Sequence, residues 1–317
     1  MKKIISLLII SVFMQSCAQN SNTNSKQAIK MDDLKTFENE PQYRLKISGN
    51  LSYEVRVNDI PIAVRNNTGS QTLWFPINNT IAKSGLQSLE INVFPKLEKN
   101  GAKFEKFIGA GDFELMVEQT AWSKAGGLDK PKVVLRYDLP ETDFSKAESH
   151  KDILSFNATV PYKLIAWNDG KTFNLKDSEV LKKKVLSAYN DLKTDYETQK
   201  GKQFTDRASK GLFNLYQASY FTKEEGQEYV KAIVDFVNEE PTKLEPLENY
   251  KLIICGGGKL IGLKRTDGYN NNEGVLRRVY NEGGQKVQID DILLYQPADQ
   301  NELEVIFYMN VVKPAQP

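Results

Sequence analysis

Residues 43–57 read YRLKISGNLSYEVRV, and apolar and polar side chains alternate within 43–47 and again within 53–57. Alternation with a period of two is typical of a β-strand that buries one face and exposes the other. This stretch therefore predicts two half-buried strands that follow each other along the chain.

The period of two continues as far as Trp167. Four further segments are strand candidates, namely 89–94, 113–118, 133–137 and 154–165. Residues that favour turns separate the strands, at 58–59, 66–69, 83–85, 99–101 and 125–127. Many short strands separated by turns, with no convincing helix among them, indicate a β-sandwich. We expect this domain to span residues 41–168.

Beyond Asn168-Asp169-Gly170 the apolar residues recur every three or four positions. A first helix is predicted from an N-cap at Asp177 to Gly201, and a second, weaker helix over 204–220. A third helix is predicted from the capping box Thr222-Lys223-Glu224-Glu225 to Pro241. The first helix carries one apolar stripe, formed by Leu181, Val185, Ala188, Tyr189, Leu192 and Tyr196.

Five strand candidates follow these helices, at 251–255, 259–264, 275–280, 286–295 and 302–312. Helices that lead into an antiparallel sheet make an α+β domain, which we expect over residues 175–317. This order of elements is similar to the cone-shaped fold of the nuclear-transport-factor-two superfamily. That fold hosts enzymes and binding proteins alike, so the likeness implies no activity.

Three stretches of the first domain resemble the accessory jelly rolls found beside glycan-processing enzymes. They are Val57-Asn58-Asp59-Ile60-Pro61-Ile62, Pro76-Ile77-Asn78 and residues 83–93, KSGLQSLEINV. In those domains a V-N-G turn and a G-x-N-x-L-x-V strand recur, whereas here Asp59 replaces the glycine and Gln87 the asparagine. The resemblance implies a sandwich and leaves the ligand open.

The N-terminus has the pattern of a secretory signal peptide, because two lysines precede an apolar run over residues 4–14. This run is shorter than the ~20 apolar residues that span a bilayer. Met14-Gln15-Ser16-Cys17 resembles the lipobox of bacterial lipoproteins, although Gln15 departs from the usual pattern. The resemblance implies a signal peptide at 1–16 and lipid attachment to Cys17. The alternative is an ordinary secreted protein that is cleaved at a nearby position and carries no lipid.

Residues 18–40 consist mainly of Asn, Ser, Gln, Thr and Lys, a composition that buries too little apolar surface to order the chain. We therefore predict a lipidated, flexible tether over residues 17–40, with a reach of ~25 Å. The first acidic residue is Asp32, so the acidic run that marks surface export in some lipoproteins is absent. We expect the protein to be anchored to the outer membrane and to face the periplasm.

The charge of the mature chain argues against nucleic acid as a partner. Without Lys2 and Lys3 the 42 basic side chains become 40, against 41 acidic ones. Binding of nucleic acid needs a basic stripe, and the densest basic run, Lys182-Lys183-Lys184, lies in a predicted helix beside Glu179.

The chain has one histidine, His150, and two cysteines. His150 lies in the charged segment 141–152, with no local residue to orient it, so we expect an exposed loop residue. One histidine excludes the familiar zinc sites, and no G-x-S-x-G elbow is present for a triad. If Cys17 is acylated, Cys255 is left single, and its apolar surroundings predict a small buried side chain.

Two further motifs resemble ligand sites. Gly256-Gly257-Gly258-Lys259 resembles a phosphate loop, but Leu260 and a strand follow it, so a hairpin turn is predicted. Residues 267–274, DGYNNNEG, are rich in oxygen ligands for calcium, but Tyr269 breaks the EF-hand pattern and a loop between strands is expected. We predict no metal and no cofactor.

Acids and tryptophans remain as candidate functional residues. Asp290-Asp291 is the most conspicuous pair of acids, but adjacent residues of a strand point to opposite faces, so the two carboxylates are not expected to share a substrate. Trp74, Trp122 and Trp167 would stack on sugars if exposed, although tryptophans in strands are more often buried.

Three functional classes remain. The first is a lipoprotein that binds a protein partner without catalysis, as an immunity, inhibitor or adaptor protein does. The second is a glycan-binding lipoprotein of a polysaccharide-uptake system, which the jelly-roll resemblance favours. The third is a carboxylate-dependent hydrolase. We expect the first, because the anchor, the tether and the lack of a recognisable catalytic set all agree with it.

Overall fold

The structure is a computed structural model that describes residues 28–66, 69–96, 112–122, 127–140, 147–174, 178–239, 243–281 and 284–315. In these ranges the chain forms eight strands, then three helices, then five strands. The elements are β1 (Gln42–Gly49), β2 (Ser52–Val57), β3 (Ile60–Arg65), β4 (Gln71–Pro76), β5 (Gly85–Phe94), β6 (Phe113–Thr120), β7 (Lys132–Asp138), β8 (His150–Ala158), α1 (Ser178–Glu197), α2 (Gly201–Ala218), α3 (Lys223–Glu239), β9 (Tyr250–Cys255), β10 (Leu260–Arg265), β11 (Leu276–Asn281), β12 (Gln285–Tyr295) and β13 (Glu304–Pro314).

The first eight strands form two antiparallel sheets of four strands, in the orders β4-β1-β6-β7 and β3-β2-β5-β8. The burial of the β1 side chains alternates as the sequence predicts. Leu45 and Ile47 are buried, while Arg44 and Lys46 are only partly buried. The buried residues of both sheets, such as Leu45 and Ile91, belong to one apolar cluster, which we call the N-terminal cluster.

The last five strands form a third antiparallel sheet with β12 at its centre. β13 lies along one side of β12, while β11 and β10 share the other side, and β9 pairs with β10. Ile292 and Leu294 of β12 pack in a second cluster with the helices, which we call the helix cluster. Leu293 and Tyr295 point the other way, into the N-terminal cluster. The predicted order of three helices and then antiparallel strands is confirmed, and the sheet is covered on both faces.

The helix boundaries follow local signals, with one correction. Thr222 and Glu225 form the predicted capping box, because each backbone N–H donates to the side chain of the other at 2.8 and 3.1 Å. Gly201 was predicted to end α1, but α1 ends before Gln199, which has a φ of 56°, and Gly201 begins α2. A Cβ at Gly201 would lie 2.5 Å from the carbonyl oxygen of Val234, so the glycine permits α2 and α3 to approach closely.

The structure differs from the predicted tether at its C-terminal end. Met31 and Leu34 are buried in the helix cluster, at 7% and 2% exposure. The backbone of Lys35 exchanges two hydrogen bonds of 2.9 Å with the side chain of Gln217. Two apolar side chains at this spacing are enough to order the segment, so the packed body begins by Met31 and the predicted boundary at residue 40 is too late.

The two predicted domains share buried surface. The N-terminal cluster includes Cys255 and Phe307 from the C-terminal part, together with Trp167 from the end of the first predicted domain. Asn214 of α2 accepts from the backbone of Ile165 at 2.9 Å and donates to the carbonyl of Ile306 at 3.1 Å. The border between residues 168 and 175 stays a prediction, but any motion of one part relative to the other has to disturb this contact.

Candidate functional site

A cleft of about 660 Å³ lies where the first two sheets meet the third. Its walls come from β3, β4 and β13, and Ile289 and Asp291 of β12 also line it. We call it the edge cleft. The residues of β3, β4 and β13 that line it are Pro61, Ile62, Val64, Arg65, Leu73, Trp74, Phe75, Pro76, Met309, Asn310, Val311, Val312 and Lys313.

The edge cleft touches strand edges and not only strand faces. Neighbouring side chains of a strand point to opposite faces, so a cavity on one face touches every second residue. Here residues 73–76 and 309–313 line the cleft without a gap. Each of β3, β4 and β13 pairs with a single strand in the described ranges, so each has one unpaired edge. Three edge strands therefore meet at one cleft, and the continuous lining shows that β4 and β13 turn their edges to it. An unpaired edge is a template for a further strand.

The lining of the edge cleft is mostly apolar, and three of its four ionic side chains are in ion pairs, whereas Arg65 donates to the neutral Gln71 at 3.1 Å. Asp291 accepts a hydrogen bond through Oδ2 from Lys264, whose side chain is 3% exposed. Glu273 binds Lys313 and also accepts from Arg277 at 2.6 Å. The cleft is therefore suited to a mostly apolar occupant, and the guanidinium of Arg65 leaves one positive charge in the lining without an acidic partner among the described residues.

A second cavity, of about 410 Å³, lies on the other face of the third sheet, beneath the helices. We call it the aromatic cavity. Its polar lining includes Gln288, Asp290 and Asn310. The rings of Tyr216 and Phe221 are stacked with centroids 5.1 Å apart. Seven aromatic side chains contribute to its surface, namely Tyr196, Phe204, Tyr216, Phe221, Tyr229, Phe236 and Tyr308.

Asp290 lines the aromatic cavity and is buried. Its Oδ1 accepts a hydrogen bond from the hydroxyl of Tyr308 at 2.8 Å and a second one from the amide of Asn310. Burial raises the pKa of Asp290, and the hydrogen bonds from Tyr308 and Asn310 oppose this shift.

The doublet Asp290-Asp291 is divided between the two cavities. Asp291 lines the edge cleft, whereas Asp290 lines the aromatic cavity on the other side of β12. This agrees with the strand geometry expected from the sequence. The two carboxylates do not face one substrate, so this pair does not have the geometry of glycosidase acids.

His150 was expected in a loop without an orienting partner, and this prediction is wrong. It begins β8, and its Nε2 lies 2.8 Å from Oδ2 of Asp152, which also accepts from the hydroxyl of Tyr137 at 2.6 Å. Residues two apart on a strand share a face, which explains the contact. None of the described cavities is lined by His150, so the contact is assigned no chemistry.

The glycine run and Cys255 have the predicted structural roles. Gly256, Gly257 and Gly258 all have positive φ values and turn the chain between β9 and β10. The amide of Gly257 donates to a carboxylate oxygen of Asp59 at 2.9 Å, which joins this turn to the β2–β3 turn. Cys255 is 1% exposed, and burial raises the pKa of its thiol to about 12. It is not an activated nucleophile.

The oxygen-rich loop 267–274 is engaged by arginines. Asp267 binds Arg265 through both carboxylate oxygens, at 2.6 and 2.7 Å. Arg277 donates to Asn270 at 3.0 Å and to Glu273 at 2.6 Å. These oxygens already hold cationic partners. Among the described residues no group of acids, histidine and cysteine is arranged to hold a metal ion.

The tryptophans divide into two kinds. Trp167 is buried at 5% exposure, as expected for a core residue. For Trp74 and Trp122 the expectation of burial is wrong, because they are 50% and 58% exposed. Trp74 lies in an edge strand, with the guanidinium of Arg44 5.9 Å from its ring centroid. These two exposed rings are available to a ligand.

Comparison with known proteins identifies no relative. No protein-family model, curated protein or solved structure matches the chain. The lipobox at Met14-Gln15-Ser16-Cys17 lies outside the described residues. None of the described helices is both long enough and apolar enough to cross a bilayer.

Proposed function

We propose that this chain is a lipoprotein of the bacterial envelope that binds an extended segment of a protein partner in the edge cleft, without catalysis. The observation that carries the proposal is the meeting of three edge strands, β3, β4 and β13, at one apolar cleft. An extended peptide gains main-chain hydrogen bonds by joining such an edge, and its side chains gain from the apolar walls. An immunity, inhibitor or adaptor protein would use the cleft in this way.

The fold that supports the cleft is part of the proposal. We propose that β1–β8 form a β-sandwich, because inward residues of both sheets share one cluster. We propose that the C-terminal part is cone-shaped, because three helices pack on one face of the third sheet and leave the aromatic cavity, which is open to solvent, between helices and sheet. In this arrangement the walls of the edge cleft are strands held in hydrogen-bonded sheets, so little ordering is needed when a partner binds.

Lipid attachment to Cys17 would hold this cleft near the membrane, because only 14 positions separate Cys17 from Met31, which is buried in the packed body. Acyl chains contribute about 0.8 kcal/mol for each buried methylene, and two such chains are enough for stable anchoring. Replacement of Cys17 by alanine should therefore move the protein from the membrane pellet to the soluble fraction or leave it uncleaved. If labelled palmitate never enters the wild-type band, the chain is not a lipoprotein.

Matched lysine substitutions test the binding site. Val312 is 49% exposed on β13 and lines the cleft, whereas Ile153 is 68% exposed on β8, another edge strand, outside it. A lysine on an edge strand opposes strand addition. Both sites are exposed, so we expect each variant to unfold within about 0.5 kcal/mol of the wild type.

The measurement has two stages. Full-length tagged protein is purified from detergent-solubilised envelopes, and the bound proteins are quantified for the wild type, Val312→Lys and Ile153→Lys. A protein that is lost only with Val312→Lys is then titrated against the chain lacking residues 1–17. We expect Val312→Lys to weaken this binding about tenfold, or about 1.4 kcal/mol, and Ile153→Lys to change it little. Equal effects of both variants would place the partner elsewhere.

A glycan partner is the second candidate, and the exposed rings of Trp74 and Trp122 favour it. Exposed tryptophans stack on sugar rings through their apolar faces. Retention on insoluble polysaccharide that is lost with Trp122→Ala and kept with Val312→Lys would select this function. Hydrolysis of glycan, peptide or ester that depends on a single acid would instead select the carboxylate-dependent hydrolase.

A further inference from the structure

One end of the edge cleft carries a guanidinium that no acid of the described chain neutralises. Arg65 is the last residue of β3, and it is partly buried and lines the cleft. Its Nη2 donates to the neutral side chain of Gln71 at 3.1 Å. The other two nitrogens have no partner among the described residues, and neither of them is buried. Several donors of this guanidinium therefore remain available to an anion.

A second cation lies close to Arg65. Lys313 of β13 also lines the cleft, and its ammonium group binds Glu273. Burial lowers the pKa of Lys313, and the charges of Arg277 and Arg65 lower it further, while Glu273 opposes the shift. Glu273 is shared, because it also accepts a hydrogen bond from Arg277 at 2.6 Å. Three cations therefore lie near one carboxylate, and a second carboxylate would be attracted to this end.

The walls of the cleft are joined at the same end. The hydrogen bond of Arg65 to the first residue of β4 joins β3 to β4. The side-chain amide of Asn66 donates to the carbonyl of Asn271 at 3.1 Å, which joins β3 to the loop 267–274. The ion pair of Lys313 joins this loop to β13. An extended chain that continued along the cleft past Arg65 would have to break these contacts, so we expect it to end there.

The far end of the cleft is neutral. There β3 begins and β4 ends, and the lining is completed by the uncharged side chains of Gln42, Asn78, Asn79 and Ser219. Asp291 lies between the two ends and is neutralised by Lys264. An occupant that matches this lining has one negative charge, at one end, and a mostly apolar remainder.

The carboxyl end of a polypeptide has this distribution of charge. Its carboxylate can accept two parallel hydrogen bonds from a planar guanidinium, which makes the pair strong and directional. The preceding residues are extended, so their main-chain groups can pair with the edges of β4 and β13. An acidic side chain supplies the same carboxylate, but the chain that carries it would continue past the joined walls.

We infer that the edge cleft binds the carboxyl-terminal end of the partner chain, with the terminal carboxylate on Arg65 beside Lys313. This inference rests on the proposed function, because it names the part of the partner that fills the same cleft.

Two matched peptide libraries test the inference. Random hexapeptides are attached to beads through their amino ends and are made once with a free carboxyl end and once with that end as the amide. Beads that bind the tagged chain lacking residues 1–17 are sequenced, and their peptides are prepared in solution in both forms. Fluorescence anisotropy then gives the dissociation constant of each form. We expect the acid to bind about tenfold more tightly than the amide, a difference of about 1.4 kcal/mol.

Two arginine variants locate the charge. Arg65→Gln should weaken binding of the acid to the level of the amide and leave the amide unchanged. If Arg65 only held β3 against β4, both forms would be weakened equally. Arg136→Gln is the matched control, because Arg136 lies on β7, another edge strand, outside the cleft, and its side chain is 57% exposed. This control should alter neither form.

Val312→Lys separates this inference from the proposed function. It blocks strand addition, so it should weaken even the amide form, which has no terminal charge. The inference is overturned if acid and amide bind equally, if the preference survives Arg65→Gln, or if neutralising an internal Asp or Glu, and not the terminus, removes it. In those three cases sensitivity to Val312→Lys still supports a peptide in the edge cleft. If neither library yields a binder, or if Val312→Lys has no effect, the inference and the proposed function are both wrong.

Discussion

Replacement of Lys264 by methionine should lower the free energy of unfolding by about 3–5 kcal/mol. Lys264 is 3% exposed, and its ammonium group binds Oδ2 of Asp291. The other carboxylate oxygen, Oδ1, is already buried without a partner in the described structure. Without Lys264 the whole carboxylate would be buried and uncompensated, and an isolated buried charge is far less stable than a paired one.

The double variant separates the charge from the packing. Lys264→Met combined with Asp291→Leu removes both charges and fills the space with apolar atoms, so its stability should return close to that of the wild type. The surface control is Lys202→Met. Lys202 pairs with Asp206 one helical turn away at 2.6 Å, but its side chain is 79% exposed. We expect a change of less than about 0.5 kcal/mol there.

Urea unfolding followed by circular dichroism gives the midpoint and the slope for each variant. The slopes should agree, so that differences in midpoint report stability. If Lys264→Met lowers the free energy of unfolding no more than Lys202→Met does, water reaches the Lys264–Asp291 pair, and the edge cleft is more hydrated than its apolar lining indicates. If the double variant is as unstable as the single one, lost packing and not the unpaired carboxylate is the cause.

Two further substitutions test other parts of the fold. Burial raises the pKa of Asp290 above its usual value of 3.8, so there is a pH range in which the native state keeps a proton that the unfolded state releases. The free energy of unfolding decreases as the pH rises from the pKa of the unfolded state to that of the native state. The free energy of unfolding of Asp290→Asn, relative to that of the wild type, should therefore increase from about pH 3.5 upward, where aspartates of the unfolded chain titrate. Urea titrations at several pH values measure this difference. A difference that stays constant with pH would show that the pKa of Asp290 is not shifted. Leu34 is 2% exposed, so Leu34→Ala should lower the free energy of unfolding by about 2–4 kcal/mol. Lys35 is exposed, so Lys35→Ala should change it little. Equal thermal midpoints for Leu34→Ala and Lys35→Ala would mean that residues 28–40 are tether after all.

The strands that the sequence predicts are those with a clean alternation. β1 and β2 were read directly from 43–57, and each of the five C-terminal strands lies within two residues of its predicted bounds. β3 and β4 were missed. The sequence of β3, IPIAVR, contains a proline and a run of apolar residues, and β4, QTLWFP, has three large apolar residues in succession. Neither sequence alternates between apolar and polar residues. β4 nevertheless alternates in burial, because its exposed face carries the apolar Trp74, while the first four residues of β3 are all buried.

The missed strands explain why the edge cleft was not predicted. Two of its three walls are β3 and β4, and the third is the distant β13. The register between such segments depends on packing that no local pattern encodes. His150 shows the opposite case, since its spacing to Asp152 is a local signal. That signal was missed only because the segment was interpreted as a loop.

The aromatic cavity shows the limit of sequence periodicity most clearly. The stripe on α1 correctly directs Tyr196 inward, and Tyr196 is 2% exposed. Periodicity gives the direction of a side chain, but whether the inward side chains fill the enclosed space depends on how far the helices stand from the sheet. Here Gly201 and Gly211 bring α2 close to α3 and to β13, because a Cβ at either position would lie within 3.0 Å of a neighbouring atom. The aromatic rings nevertheless leave about 410 Å³ unfilled. This volume opens to solvent beside the half-exposed Tyr229, so it is a groove between the helices and the sheet and not a void in the core. Its width depends on the spacing of whole elements, which the periodicity of a single helix does not encode.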